Sequence, residues 1–313
     1  MIEIKQGSER TENGGIGTVN RRIYITILSA MVCRPKFPVI TLTTDFGLQD
    51  HYVASMKGVI LSVNAATPII DISHEIPPFS IVSGAYAISQ AAPCFPPNTV
   101  HVVVIDPGVG TARRPVLLEA GGQVFIGPDN GVFGLVAEVH PDAKCYEISR
   151  RDLMRSQIST TFHGRDIFAP VGAAVACGKV AGSDVGPQIF DWKKLEGLSP
   201  VQIDENAWAG KILSVDRFGN VVTNFRSSEF SFVFTASFEL GISGHSIVRF
   251  GNTFGEAPSG EMFAYPGSGG FIEVGINQKN AAERLNAAPG QGVTLWRAAA
   301  GLFRPAEIPP KTV

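Results

Sequence analysis

The chain has 313 residues, of which 44 % are hydrophobic and 17 % charged, and its formal net charge is −2. This composition is typical of a globular protein long enough for two domains. The near-neutral charge gives no electrostatic basis for binding nucleic acid or an anionic membrane surface, so neither is expected as a partner. The four cysteines lie far apart without a C-x-x-C motif, and a reducing, cytoplasmic location is the default expectation.

The first 36 residues differ in character from the rest of the chain. Ile23 to Val32 is an apolar run after two arginines. Its length of about ten residues is too short for a bilayer span, and no clear A-x-A cleavage site follows. We therefore predict a flexible or mis-assigned leader over residues 1–36, with Met31 as an alternative start of translation. An export signal is the less favoured alternative.

Short apolar strands alternate with helical patterns over residues 37–190. This alternation predicts right-handed βαβ units and a Rossmann-like parallel sheet in an N-terminal α/β domain. We expect Asp50 to start the first helix as its N-cap. The predicted strands are Phe37–Thr43, Thr67–Ile72, Val100–Ile105 and Gln123–Ile126, and the predicted helices are Asp50–Asn64, Ser80–Ala92, Val132–Val139 and Ile167–Cys177.

The apolar rhythm fails in the following segment, which we interpret as a linker over residues 191–206. Residues 207–304 then alternate between short apolar runs and turn signals, a pattern that predicts an antiparallel β-sandwich or barrel. A proline-rich tail follows over residues 305–313. The predicted strands of this second domain are Ala209–Asp216, Phe230–Phe238, Ser246–Phe250, Gly269–Ile276 and Gly292–Arg297.

An aspartate lies at or near the end of each of four predicted strands: Asp45, Asp71, Asp106 and Asp129. The carboxyl ends of parallel strands meet at one sheet edge, so these side chains should converge on one crevice. With His74 or His163 they would suit a divalent metal ion. Alternatively, they would bind a ribose diol and a cationic substrate without metal. The sequence has no HxxxH or HxH pair, which disfavours the metal.

Two further features near the Asp106 strand carry possible chemistry. Arg113 follows Asp106 by seven residues and can return over the same loop to pair with it. His163 lies in a loop between Phe162 and Gly164, and its ordinary pKa of about 6.5 suits proton transfer at neutral pH. The alternatives are a turn-forming aspartate, a surface cation and a solvated histidine.

Two segments of the second domain have the residues of a turn, and the same residues could contact a flat ring of a ligand. Phe218 and Asn220, after Asp216, offer an aromatic face and an amide able to read a purine edge. The glycines around Ser268 permit close approach of the backbone to a ring. The sequence contains neither G-x-x-x-x-G-K-[ST] nor G-x-G-x-x-G, which disfavours nucleoside triphosphates and dinucleotides.

Seven motifs occur in order along the chain: TTDFG (Thr43–Gly47), DISHEIPPF (Asp71–Phe79), VIDPGVGTARR (Val104–Arg114), GPDNG (Gly127–Gly131), TFHGRDIFAP (Thr161–Pro170), DRFGNVVTN (Asp216–Asn224) and NAAERL (Asn280–Leu285). Together they resemble the S-adenosyl-L-methionine (SAM) hydrolases, or SAM hydroxide adenosyltransferases, which are relatives of the fluorinases and chlorinases. The resemblance covers about residues 38–300.

The resemblance implies an N-terminal α/β domain, a C-terminal β-barrel-like domain and a homotrimer with sites at subunit interfaces. It implies that SAM is the substrate and that no cofactor or metal is used. Water would displace the sulfonium at the ribose C5′ carbon and give adenosine and L-methionine.

The resemblance also implies roles for individual residues. Asp106, Arg113 and His163 would form the catalytic set. The fluorinase has tyrosines at the positions of Asp106 and His163 and a halide-contacting serine at the position of Gly164, so this sequence is similar to the water-using branch. The candidate substrate-binding residues are Asp45 for the ribose hydroxyls, Phe79 beside the substrate, Phe218 and Asn220 at the adenine, and also Phe162, Asp216 and Ser268.

Two other functions stay open at the sequence level. One is a SAM-dependent halogenase, for which Asp106 and Gly164 are the wrong residues. The other is a non-catalytic SAM- or adenosine-binding protein, which the intact Asp–Arg–His set disfavours.

Overall fold

The computed structural model describes residues 38–298, which contain fifteen β-strands and five α-helices. The predicted leader 1–36 and tail 305–313 lie outside the described residues, as do residues 37 and 299–304. No helix within residues 38–298 combines the length and the apolar character that crossing a membrane requires.

The first sheet has seven strands, in the spatial order β2-β1-β3-β5-β4-β6-β7. Four predicted strands and four predicted helices are present, with bounds that shift by a few residues. The strands are β1 (Ile40–Thr44), β2 (Ile69–Ser73), β3 (Val100–Val104), β4 (Pro115–Ala120), β5 (Gln123–Pro128), β6 (Lys144–Glu147) and β7 (Gln188–Ile189). The helices are α1 (Tyr52–Val63), α2 (Ile81–Ala91), α3 (Gly134–Val139) and α4 (Ala169–Ala176).

The predicted α/β class is confirmed, but the sheet is mixed. β2, β1, β3 and β5 are parallel, as expected. β4, β6 and β7 pair antiparallel and were not predicted. β4 and β5 form a hairpin through Gly121 and Gly122, both with positive φ, which is the backbone that a two-residue hairpin turn requires.

Helices cover both faces of the parallel strands, because these strands are apolar on both sides. α1 and α4 pack against a face that includes Leu42 and Val102. α2 and α3 pack against the opposite face, which includes Val103 and Ile105. The strand ends, rather than the strand faces, are therefore left available for a ligand.

Local signals at the helix ends were partly predictive. Ser80 caps α2, since its side chain accepts a hydrogen bond from the Ser83 amide. The prediction that Asp50 caps α1 is wrong, because the N-cap is His51 and its side chain makes no capping bond. A π-helical turn, Gly164–Phe168, leads directly into α4.

The second sheet is antiparallel and barrel-like, which confirms the predicted class. Its order is β12-β11-β15-β9-β10-β14-β13, with β8 paired to β9. Phe250, just after β12, bridges Ala264 of β13 and brings the two ends of this order together. The strands are β8 (Val201–Asp204), β9 (Ala207–Val215), β10 (Val221–Arg226), β11 (Phe238–Ile242), β12 (His245–Ile247), β13 (Met262–Pro266), β14 (Phe271–Ile276) and β15 (Gly292–Arg297), and a short helix, α5 (Ala281–Leu285), precedes β15.

One predicted strand of this half is wrong. Residues 231–234, inside the predicted strand Phe230–Phe238, form a 3-10 turn. The phenylalanines there join an aromatic cluster, in which the rings of Trp208 and Phe230 meet edge to face at 5.4 Å between centroids. Burial against Trp208 thus outweighs the strand propensity of the run. β8 forms within the predicted linker, and β10, β11 and β13 were not predicted.

Candidate active site

A cavity of about 480 Å³ opens at the carboxyl ends of β1 and β3, the edge where parallel strands of α/β proteins bind ligands. The sequence-predicted residues in its lining are Asp45, Phe79, Asp106, Phe162 and His163.

Asp106 and Arg113 form a buried ion pair beside this cavity. Asp106 stands just beyond the end of β3, and the loop after it returns Arg113 to the carboxylate. Arg113 Nε donates to both carboxylate oxygens at 3.0 Å, and Nη2 donates to Oδ2 at 2.5 Å. Each side chain is only 5 % exposed, so the pair is a rigid, charge-assisted unit.

Arg113 also contacts His163, with 2.7 Å between Nη2 and Nδ1. A guanidinium donates hydrogen bonds and cannot accept them, so Nδ1 must be the acceptor. The neutral ring then carries its proton on Nε2. Burial, and next the positive charge of Arg113, lower the pKa of His163 below its usual value, although Asp106 and Asp166 oppose this. Arg113 therefore links the other two predicted catalytic residues, Asp106 and His163.

Asp45 lies across the cavity, immediately after β1. Its Oδ2 accepts a hydrogen bond from the Phe79 amide at 2.8 Å. Burial raises the pKa of Asp45, the bond from Phe79 opposes this rise, and the charge of Asp106 adds to it. Phe79 has a φ of +67°, a left-handed conformation that is costly for an aromatic residue. The Asp45 carboxylate thus holds a strained, exposed phenylalanine at the cavity wall.

Aromatic residues form another part of the wall. Phe162 meets Tyr52 and Phe46 at centroid distances of 5.1 and 6.0 Å. The Arg165 guanidinium lies over the Phe162 ring at 4.8 Å. The sequence analysis missed Phe46, Tyr52 and Arg165 as lining residues. Phe46 and Arg165 adjoin predicted site residues within the motifs, whereas Tyr52 has no such signal.

Two of the four strand-end aspartates do not join this site, so the predicted convergence of all four is wrong. Asp71 lies within β2 and accepts a bond from Lys57 at 2.5 Å. Asp129 accepts bonds from Arg114 Nε and from the Lys193 amide. Neither side chain lines the cavity, and the four-carboxylate cluster that motivated the metal alternative does not form.

The predicted adenine-side residues line a different pocket, of about 550 Å³, on the second sheet. Phe218 and Asn220 share it with Asn280. Asp216 lies behind the turn, where its Oδ1 accepts bonds from the Phe218 and Asn220 amides. Asp216 therefore shapes the turn rather than lining the pocket.

Ser268 lies in the turn between β13 and β14, and it lines neither pocket. This turn packs closely on its neighbours: a Cβ on Gly269 would lie 2.9 Å from the Tyr86 hydroxyl of α2. Within one chain, the predicted residues therefore fall into a group at the first cavity and a group on the second sheet.

Fold and cavity together define a class: an α/β protein with an appended antiparallel barrel and a polar ligand site at the carboxyl edge of its parallel strands. Two family models match the chain, the SAM hydroxide adenosyltransferase N-terminal domain over residues 40–186 and the SAM hydroxide adenosyltransferase C-terminal domain over residues 210–294. The chain belongs to the SAM hydroxide adenosyltransferase family.

Individual relatives agree with this assignment. The (R)-S-adenosyl-L-methionine hydrolase of Salinispora tropica is 36 % identical, over 81 % of this chain and 95 % of the relative. A fluorinase of Nocardia brasiliensis is 27 % identical, over 82 % of this chain and 96 % of the relative. The crystal structure of an uncharacterized conserved protein from Thermotoga maritima superimposes with a TM-score of 0.75 at 35 % identity, covering 83 % of this chain and all of that one.

Proposed function

We propose that this protein hydrolyses SAM to adenosine and L-methionine. The observation that carries the proposal is the linked Asp106–Arg113–His163 set beside a cavity large enough for a small ligand. The family membership and the names of the hydrolase relatives support it. Because those names specify the R form, we propose the (R)-sulfonium epimer as the preferred substrate.

In this proposal a water molecule lies between Asp106 and His163. Since Nδ1 of His163 accepts from Arg113, Nε2 is the ring nitrogen that can donate to the water oxygen. Asp106 accepts one of the water protons, and Arg113 fixes both partners. One lone pair of the water oxygen is then directed toward the substrate.

The reaction forms a bond from the water oxygen to C5′ and breaks the bond from C5′ to sulfur. The bonding electron pair goes to sulfur, which becomes the neutral thioether of methionine. The proton from water goes to Asp106 and then to solvent. Because the sulfur is a cationic sulfonium in the substrate and leaves as a neutral thioether, its charge falls during the reaction, and the site needs mainly to orient the reactants and exclude bulk water.

The remaining residues are proposed to bind the substrate. Asp45 accepts from the ribose hydroxyls, and Phe79 and Phe162 pack beside the substrate. On the second sheet, Phe218 and Asn220 would contact adenine, on a turn shaped by Asp216, with Ser268 nearby.

We propose a homotrimer in which each site combines the first cavity of one subunit with the second-sheet pocket of its neighbour. The separation of the two groups of residues within one chain supports this. So does the exposure of the two proposed ring contacts, since Phe79 is 71 % and Phe218 is 79 % exposed. Aromatic residues are enriched at protein interfaces relative to the rest of the surface.

The proposed reaction uses no metal or cofactor. A reducing, cytoplasmic location is also proposed, and the free thiols of Cys94, Cys145 and Cys177 are compatible with it.

The test is incubation of the purified, chelator-treated protein with each sulfonium epimer of SAM, with and without excess chloride. We expect equimolar adenosine and methionine in both conditions, detected by liquid chromatography and mass spectrometry. Formation of 5′-chloro-5′-deoxyadenosine would support a halogenase instead. Binding of SAM without turnover would support a non-catalytic binding protein, and loss of activity on chelation would support a metallohydrolase.

A further inference from the structure

We propose that His74, acting through Thr44, is a positioning residue that fixes the turn carrying Asp45 at the edge of the cavity. The proposal rests on the proposed function in one respect, because it takes Asp45 to be a substrate-binding group. His74 itself does not line the cavity.

The imidazole and the carbonyl of His74 hold opposite ends of the Asp45 turn. His74 Nδ1 lies 2.8 Å from the hydroxyl oxygen of Thr44, the last residue of β1. The His74 carbonyl accepts a bond from the Gly47 amide at 2.8 Å. Asp45 lies between these two attachment points. Both Thr44 and His74 are buried, so the contact between their side chains does not compete with bulk water.

The polar groups of this network have compatible donor and acceptor roles. The Phe46 amide donates to the Thr44 hydroxyl oxygen, and the hydroxyl proton is then free to be donated to His74 Nδ1. On the far side, Asp71 Oδ1 lies 3.1 Å from His74 Nε2. This contact is a close approach rather than an aligned hydrogen bond. The negative charge of the carboxylate, which can only accept, still favours the tautomer with the proton on Nε2. Lys57 binds the other Asp71 oxygen and holds this carboxylate in place.

The position of Phe79 also depends on the attachment of His74 to the Asp45 turn. Phe79 follows His74 by five residues, and its amide donates to Asp45 Oδ2 at 2.8 Å. The loop 74–79 is thus attached to the Asp45 turn at both ends, by His74 at its start and by Phe79 at its end. Two proposed substrate contacts, the Asp45 carboxylate and the Phe79 ring, therefore depend on one buried Thr–His pair.

The chain contains a matched control for this pair. Thr41, three residues earlier on β1, makes a similar bond of 2.7 Å to Nδ1 of the buried His101 on β3. Thr41 and His101 do not line the cavity. Thr41→Val and Thr44→Val each remove one buried hydroxyl from a Thr–His pair on the same strand, and Thr44→Val also removes the acceptor of the Phe46 amide. A purely structural role therefore predicts losses of stability of the same order and no difference in substrate preference.

The experiment compares these two variants with the wild-type protein. We expect losses of thermal stability of the same order, because each variant loses the buried bond between its threonine and a histidine. Thr44→Val also loses the longer bond from the Phe46 amide. Only Thr44→Val should lower kcat/KM for SAM, by about tenfold, since small displacements of a positioning group are costly. It should also reduce the preference for SAM over 2′-deoxy-SAM, because that preference reports the placement of Asp45. His74→Asn, whose amide can replace Nδ1, should retain more activity than His74→Ala.

Amide hydrogen exchange provides a readout that needs no substrate. The Gly47 and Phe79 amides should exchange about tenfold faster in Thr44→Val than in Thr41→Val, because local opening is easier. Equal exchange in the two variants would overturn the positioning role, whatever the substrate. Failure of the wild-type protein to turn over SAM, with the exchange difference present, would instead contradict only the proposed function.

Discussion

At the scale of single residues, Arg113 decides the chemistry of its neighbours. It donates to Asp106 and to His163 Nδ1 at once, so His163 is placed as a hydrogen-bond donor through Nε2 rather than as a base. Protonation of His163 would put a proton on Nδ1, facing the guanidinium. The lowered pKa of His163, caused first by burial and then by Arg113, agrees with a neutral working form.

This assignment predicts the behaviour of His163→Gln. The glutamine amide nitrogen can replace Nε2–H as a donor, so we expect about a tenfold loss of kcat, against a loss of about 100-fold or more for His163→Ala. If His163 were the base, both variants would be equally impaired. Steady-state kinetics on SAM distinguish the two cases.

The pH profile follows from the same pKa direction. Activity needs neutral His163, whose pKa is lowered, so activity should fall only on the acid side, with an inflection below the usual value of about 6.5. The profile of kcat/KM checks this, and an inflection above 6.5 that disappears in His163→Gln would contradict it.

Asp106→Ala removes the proposed acceptor of the water proton. We expect adenosine release to fall by at least about 100-fold, whereas SAM still binds, because Asp45 and the aromatic wall are intact. Calorimetric titration and a product assay measure the two quantities. Undiminished turnover would remove Asp106 from the mechanism.

The sequence motifs were sufficient to predict the contact of Asp106 with Arg113, because only seven residues separate them. The contact of Arg113 with His163, fifty residues away, was predictable only through the family resemblance. Tyr52 was missed because it is one aromatic residue on an amphipathic helix, and such residues usually pack in the core. Tyr52 lines the cavity because its ring packs against Phe162, which is distant in sequence and close only in the folded chain.

At the scale of elements, hydrophobic runs predicted the strands buried on both faces but not the antiparallel additions. β3 is recognisable because Val100–Val104 is entirely apolar apart from one histidine. β4 was missed although the Gly-Gly turn after it is a hairpin signal. The phenylalanines at 230–234 have strand propensity, but packing against Trp208 overrides it.

His101, within β3, predicts that the stability of the protein falls at acid pH. Burial lowers the pKa of His101 to about 4, with Gln123 opposing. The unfolded chain therefore binds a proton between about pH 6.5 and 4 that the folded protein does not, so stability falls as the pH falls through this window. This group should lower the free energy of unfolding by about 3 kcal/mol between pH 7 and 4.

The measurement is urea unfolding of wild-type protein and His101→Gln at several pH values. The variant will be less stable at pH 7, because it loses the bond to Thr41, but its stability should depend less steeply on pH below 6.5. Parallel pH dependences would contradict the assignment.

At the scale of the whole molecule, the separation of two pockets within one chain supports the proposed trimer. Sequence patterns cannot show which surfaces of identical subunits meet, and the trimer followed from the family resemblance alone. Within the described residues, Asp45 lines the first cavity and Phe218 lines the second-sheet pocket. An interface between two subunits would bring these two pockets together into one site.

Subunit mixing tests the shared site. Asp106→Ala impairs the first cavity and Asn220→Ala the second pocket, so each homomeric variant should be nearly inactive. Co-expressed in equal amounts, they should form mixed trimers in which about one quarter of the interfaces have two intact halves. We expect activity of about one quarter of the wild-type value. If mixing restores no activity, each site lies within one chain.

The most direct test of the central claim is the mass of the adenosine formed from SAM in water enriched in ¹⁸O. Attack of water on C5′ predicts adenosine that carries one ¹⁸O at its 5′ position, together with unlabelled methionine. Unlabelled adenosine, or cleavage of SAM to other products, would contradict a hydrolysis at the ribose carbon.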